Sequence, residues 1–115
     1  MANTFKVITK AGVTSADVIY TVAGSTTTVI LGLMLGNTTS GSVNATVTLG
    51  TDTANRAGAN NETNQDVELL TTTAIAGNTT LDLLSGNKVV METTDTLSVT
   101  GSGALDVALS VMEIT

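Results

Sequence analysis

A two-residue hydrophobic period carried by β-branched side chains constrains this chain more than any other feature. Val43, Ala45, Val47 and Leu49 alternate with Asn44, Thr46 and Thr48, and Leu105, Val107, Leu109 and Val111 alternate with Asp106, Ala108 and Ser110. Successive side chains of a strand point to opposite faces, so each stretch predicts a strand with one dry and one wet side. Thr is the commonest residue; with Val and Ile it disfavours helix and suits a pleated surface. A third stretch places Val29, Leu31, Leu33 and Leu35 on one face and Thr28, Ile30, Gly32, Met34 and Gly36 on the other. Being apolar on both sides, it predicts a central strand. Shorter strands are expected at 5–9, 17–22, 67–73, 79–84, 87–91 and 97–100.

Turn residues fall between these stretches, at Ala11-Gly12, Ala23-Gly24-Ser25, 37–42, Ala76-Gly77-Asn78, Ser85-Gly86-Asn87 and Gly101-Ser102-Gly103. Gly and Asn supply the positive φ that tight turns demand. The last of these reads as a hairpin turn rather than a nucleophile elbow around Ser102. With 115 residues, the chain is the size of one domain. About eight to nine short strands predict an all-β, single-domain antiparallel β-sandwich, jelly-roll or Ig-like, with a barrel as the rival. The chain has no Pro, so its sheet edges must be protected by closure, loops or a neighbouring subunit.

Composition removes most chemistry. Without Cys or His, the chain lacks disulfides, thiolate metal sites, the commonest general base and the commonest metal ligand. Hydroxyls are plentiful, but no base stands ready to activate them, and no lysine follows the glycine spacing of a P-loop. No enzyme and no cofactor are expected. The net charge is −6, and the basic residues are Lys6, Lys10, Arg56 and Lys88, well scattered. Phosphate backbones need more positive charge than that, so nucleic acid is not an expected partner. No apolar run reaches the roughly 18–20 residues of a membrane span, and the start lacks the pattern of a signal peptide. Synthesis in a cytoplasm and no membrane partner are the expectation. Four Asn-x-Thr triplets, at Asn37, Asn44, Asn61 and Asn78, are assigned no function in a Thr-rich chain.

Two features point to contact with other protein. Charged residues make up 12% of the chain, about half the usual share. Either much of the surface faces protein, or a neutral, Thr-covered exterior stays hydrated. The stretch 50–66 is long for a loop in a compact domain, and a long hairpin arm is its rival reading. It holds Asp52, Arg56, Asn60, Asn61, Glu62 and Asp66 as candidate partner contacts, with a solvated polar loop the default over a calcium site. Lys6 and Lys10 are further candidates. They can pair with Glu92, Asp95 or Glu113, between the first and last strands or across a subunit boundary.

The run from Asp17 through Tyr20-Thr21, a small turn at Ala23-Gly24-Ser25, and a β-branched strand ending Leu31-Gly32-Leu33 resembles short virion structural proteins of tailed bacteriophages, common among phages of marine and freshwater bacteria. Lys88-Val89-Val90-Met91-Glu92, Asp95-Thr96-Leu97 and the stretch from Leu105 to Thr115 share the likeness. Family members often carry Pro where Ala23-Gly24 stands and Gly where Thr94 stands. The resemblance implies a small β-sandwich present in many copies on a virion, and identifies no catalytic residues. The leading expectation is a capsid decoration (cement) protein, a homo-oligomer such as a trimer, contacting the major capsid protein or other virion proteins. A tail, neck or fibre-base component is the alternative, and a carbohydrate- or surface-binding module is a rival of another class.

Overall fold

A computed structural model describes residues 2–51, 65–84 and 86–115, and all of their regular structure is β. Nine strands follow in order: β1 (Asn3–Val13), β2 (Asp17–Thr21), β3 (Thr27–Asn37), β4 (Val43–Gly50), β5 (Asp66–Ile75), β6 (Thr79–Asp82), β7 (Val89–Met91), β8 (Thr96–Gly101) and β9 (Leu105–Ile114). Sheet A runs β1-β9-β3-β6, with β7 also bonded to β3; sheet B runs β2-β8-β4-β5. All pairings are antiparallel, and each strand finds its mirror image in sequence: β1 with β9, β2 with β8, β3 with β6 and β7, β4 with β5. A chain folded back on itself in this nested way, and then rolled into two sheets, is a jelly roll. The Ig-like and barrel alternatives are thereby set aside.

The alternation in β4 and β9 works as its period requires. Val43, Ala45, Val47 and Leu49 of sheet B and Leu105, Val107, Leu109 and Val111 of sheet A all point inward and are buried. Leu109 stands between Ile8 of β1 and Leu33 of β3 in one continuous inner row. Leu97 and Val99 of β8 close the core from the opposite sheet.

The third stretch departs from its expected faces. The ladder of β3 on β9 slips between Ile30 and Gly32, leaving Leu31 as an extra residue. Thr28 and Ile30 are buried before the bulge, Leu33 and Leu35 after it. The strand therefore changes phase at Leu31, and neither uninterrupted face drawn from a strict period of two exists. Its central position does hold, with β9 on one side and β6 and β7 on the other.

The segment at Gly101-Ser102-Gly103 is also different from a hairpin turn. It carries the chain from β8 in sheet B to β9 in sheet A. The corner is tied to β4: the Ser102 N–H donates to the Asn44 carbonyl and the Asn44 N–H to Ser102 Oγ, both at 2.9 Å. Gly is needed here, because a Cβ on Gly101 would lie 2.6 Å from the Gly103 carbonyl oxygen. At the same end of the sandwich, buried Asn37 donates to the Gly41 and Ile75 carbonyls and accepts from the Thr39 N–H and hydroxyl, so all its polar capacity is used.

Thr94, in the turn before β8, has φ 70°, and its N–H donates to the Val22 carbonyl at 3.0 Å. Left-handed backbone costs an L-residue about 1–2 kcal/mol. Glycine returns about 0.5–1 kcal/mol of that through its freer unfolded chain. Thr94→Gly is expected to raise stability by up to about 1 kcal/mol, read as a higher urea midpoint. Leu109→Ala should lower it by about 2–5 kcal/mol. Ser110→Ala, one residue on and facing outward, should change it by no more than about 0.5 kcal/mol.

Candidate interaction surfaces

Lys6 lies on the inner side of the edge strand β1, where the sandwich is open. Its ammonium sits 2.7 Å from Glu113 Oε1 on β9. The other carboxylate oxygen accepts a 2.6 Å bond from the Tyr20 hydroxyl, which arrives from sheet B. Tyr20 has one proton to give, so the buried Thr28 hydroxyl, 2.7 Å away, donates to the Tyr20 oxygen. A polar chain from solvent to core thus links the two sheets: Lys6, Glu113, Tyr20, Thr28. Pairing between the first and last strands is as expected for Lys6. Lys10 differs, because it binds Asp17 of β2, 2.9 Å from Oδ2, rather than Glu92, Asp95 or Glu113. Glu92 instead accepts from the Thr27 hydroxyl, and buried Asp95 accepts the Glu92 N–H in a turn.

The two middle members of this polar chain, Glu113 and Tyr20, are shifted in opposite senses. Hydrogen bonds from Lys6 and then Tyr20 hold the Glu113 carboxyl below its usual value. Burial, followed by the bond to Glu113, pushes the Tyr20 hydroxyl up to about 12. A carboxyl with a lowered folded value stabilises above its unfolded value, and that contribution goes as pH falls through the lowered one. A tyrosine with a raised value stabilises fully below its ordinary value of 10.0, and loses this as pH rises toward about 12. Thermal stability should therefore fall at both extremes. Tyr20→Phe should remove the alkaline loss while costing about 1–3 kcal/mol at neutral pH, since Thr28 is left buried without this partner. Melting curves from pH 2 to 12 check these outcomes.

The candidate contacts Asp52, Arg56, Asn60, Asn61 and Glu62 lie outside the described residues. Asp66 opens β5 opposite Gly50. Just beyond that pair, the Thr51 N–H and hydroxyl donate to the Gln65 carbonyl at 3.1 and 2.7 Å. Among the described residues no three His, Cys, Asp or Glu side chains come together as a metal site.

A surface that sequence reasoning missed lies on the outside of sheet A. Directly opposed residues share a face, so Phe5, Met112, Val29 and Val90 form one outward row across β1, β9, β3 and β7. Phe5 is 70% exposed and Val90 48%. The next rows hold Val7, Ser110 and Gly32, then Thr9, Ala108, Met34 and Asp82. Val7 is 62% and Met34 49% exposed. The outer side of sheet B is unlike this: Asn44, Thr46, Thr48, Thr96, Ser98 and Thr100 clothe its middle strands with hydroxyl and amide groups. The signal was present in β3. A strand apolar on both sides at the centre of a two-layer sandwich has only one side for the core, so the other must be an exposed apolar face.

Two hollows mark that face. One, of about 390 Å³, has Ala108 and Gly36 among its lining residues, with Met34, Thr80 and Asp106 beside them. The other, of about 260 Å³, lies by Leu31, Gly32 and Ser110. Beside them runs β1, eleven residues long, bonded to β9 along one edge; no strand among the described residues pairs its other edge.

No protein-family model matches the chain, and no curated protein sequence matches it. A solved structure described as "Bacillus endospore appendages form a novel family of disulfide-linked pili" aligns with 99% of this chain and 87% of that one, at 14% identity and a TM-score of 0.48. Disulfide linkage is closed to the present chain, which has no cysteine.

Proposed function

We propose that this chain is a non-enzymatic structural protein of an assembled particle, and specifically a decoration protein on the capsid of a tailed bacteriophage. The observation that carries the reading is the apolar outer face of sheet A beside an unpaired edge strand. Soluble monomers rarely leave a contiguous apolar patch of this kind uncovered, and a long free edge invites pairing with another chain. Jelly rolls serve in viral capsid and lectin domains alike, so the fold supplies no function by itself. A sugar site leans on aromatic rings in a pocket. Tyr20 is buried with its hydroxyl engaged, and Phe5 stands out from a sheet face. The sequence resemblance to short virion proteins supports the more specific assignment.

On this reading the partners are the major capsid protein or other virion proteins, together with further copies of the chain, and the location is the capsid surface. Quantitative mass spectrometry of purified particles tests it. Copy number near that of the major capsid protein, or a simple fraction of it, is the expected result. A few copies per particle would transfer the protein to the neck or tail, and absence would remove it from the particle. Particles stripped of the protein should open at a lower temperature than complete ones, because binding only to the assembled state stabilises that state.

A further inference from the structure

The outer face of sheet A carries a knob and a hollow on the same side. Phe5 is the only phenylalanine in the chain and stands 70% exposed. Four residues further along β1, about 14 Å at strand rise, Thr9 begins the wall of the 390 Å³ hollow over Ala108 and Gly36. Small residues make room there: a Cβ on Gly36 would meet its nearest neighbours only at 3.7 Å, so the space is bounded by side chains that Gly and Ala leave short.

We infer that two copies of this chain stack face to face through the outer side of sheet A, Phe5 of each resting on the Thr9 wall of the other's hollow and Met112 over its Ala108. The inference rests on reading this face as an assembly surface, while particle membership is decided separately by copy number. The twofold axis lies in the interface along the row Val7, Ser110 and Gly32, which is halfway between knob and hollow. Turning one copy over about that row sets Phe5, Met112, Val29 and Val90 on Thr9, Ala108, Met34 and Asp82 of the second copy. Residues on the axis meet themselves, and Ser110 and Gly32 there are small enough for close approach. One interface then covers the hollow of each copy, as an isologous contact must.

Charge and area agree with this occupant. Asp82 comes over Val90, and Asp106 over the row of Asn3, Ile114 and Thr27, so no carboxylate faces another. The Lys6 and Lys10 side chains pair with Glu113 and Asp17 on the inner side, and Lys10 meets this interface only as part of the hollow's wall. Four strands at about 4.8 Å spacing and about nine residues of length give roughly 500 Å² per copy. The total, roughly 1,000 Å², is near the lower limit for a specific interface. A concentration-dependent dimer is expected, and not an obligate one.

Sedimentation of the purified chain across a wide concentration range tests this. The wild type should pass from monomer to dimer and stop there. Phe5→Ser, Ser110→Asp and Ala108→Leu should each weaken dimerisation at least tenfold, the last by filling the hollow. Thr48→Asp, on the outside of sheet B, should leave it unchanged, and urea midpoints identify any variant that fails to fold. A wild type that stays monomeric overturns the inference and leaves the face to a different protein. Growth beyond two copies, or a dimer indifferent to Phe5→Ser and Ser110→Asp, overturns it as well.

Discussion

The pairing of β3 with β9 fixes nearly everything else about this molecule. These strands are the middle of sheet A, and their register decides which side chains of both are dry. A slip of one residue would send Leu105, Val107, Leu109 and Val111 to the outside, because side-chain direction has a period of two. The bulge at Leu31 makes one such slip locally and deliberately. It keeps Ile30 inside at one end of β3 and Leu33 and Leu35 inside at the other. It also puts Gly32 opposite Ser110, so the outer face is shallow in its middle and raised at Phe5 and Met112.

From that register follows the position of the polar chain across the interior. Thr28 and Glu113 are opposed on the inner side, and Tyr20 from sheet B reaches both. Around this chain the two sheets meet through aliphatic contacts, which tolerate sliding. Hydrogen bonds at 2.6 and 2.7 Å do not. Lys6 and Lys10 close the open side between β1 and β2, one within sheet A and one bridging to Asp17 of sheet B. Because both lysines are exposed by about half, their ion pairs are worth little as stability and serve instead to hold that edge in register.

The strands were legible in the sequence and their partners were not. Period-two alternation in β4 and β9 is local, and nine strands and most turns followed from it. Pairing is a property of residues far apart, and period alone says nothing about it. The corner at Gly101 illustrates the difference: its composition is that of a hairpin turn, yet the flanking strands β8 and β9 lie in different sheets. The phase change in β3 was hidden because Val29 to Leu35 is apolar at almost every position, so either phase buries hydrophobic side chains. Lys6 found Glu113 as expected from opposite ends of the chain, whereas Lys10 took the nearer Asp17 across the β1–β2 connection, a contact that strand order alone creates.

Low charge admitted two explanations from composition, a surface that faces protein or a neutral hydrated one. The sandwich has two kinds of outer surface, one on each sheet. Sheet B carries the threonines, serines and Asn44, which water solvates well without formal charge. Sheet A turns outward a row of Phe5, Met112, Val29 and Val90, which water does not. Averaged over the sequence the two are indistinguishable, since Thr and Val share the same β-branched shape and strand preference. Separated by the fold, they give the molecule one apolar outer face and one clothed mainly in hydroxyl and amide groups. On the proposed pairing through sheet A, the hydroxyl-covered middle of sheet B offers no matching apolar row, and the free edge of β1 is the other place where a chain could add.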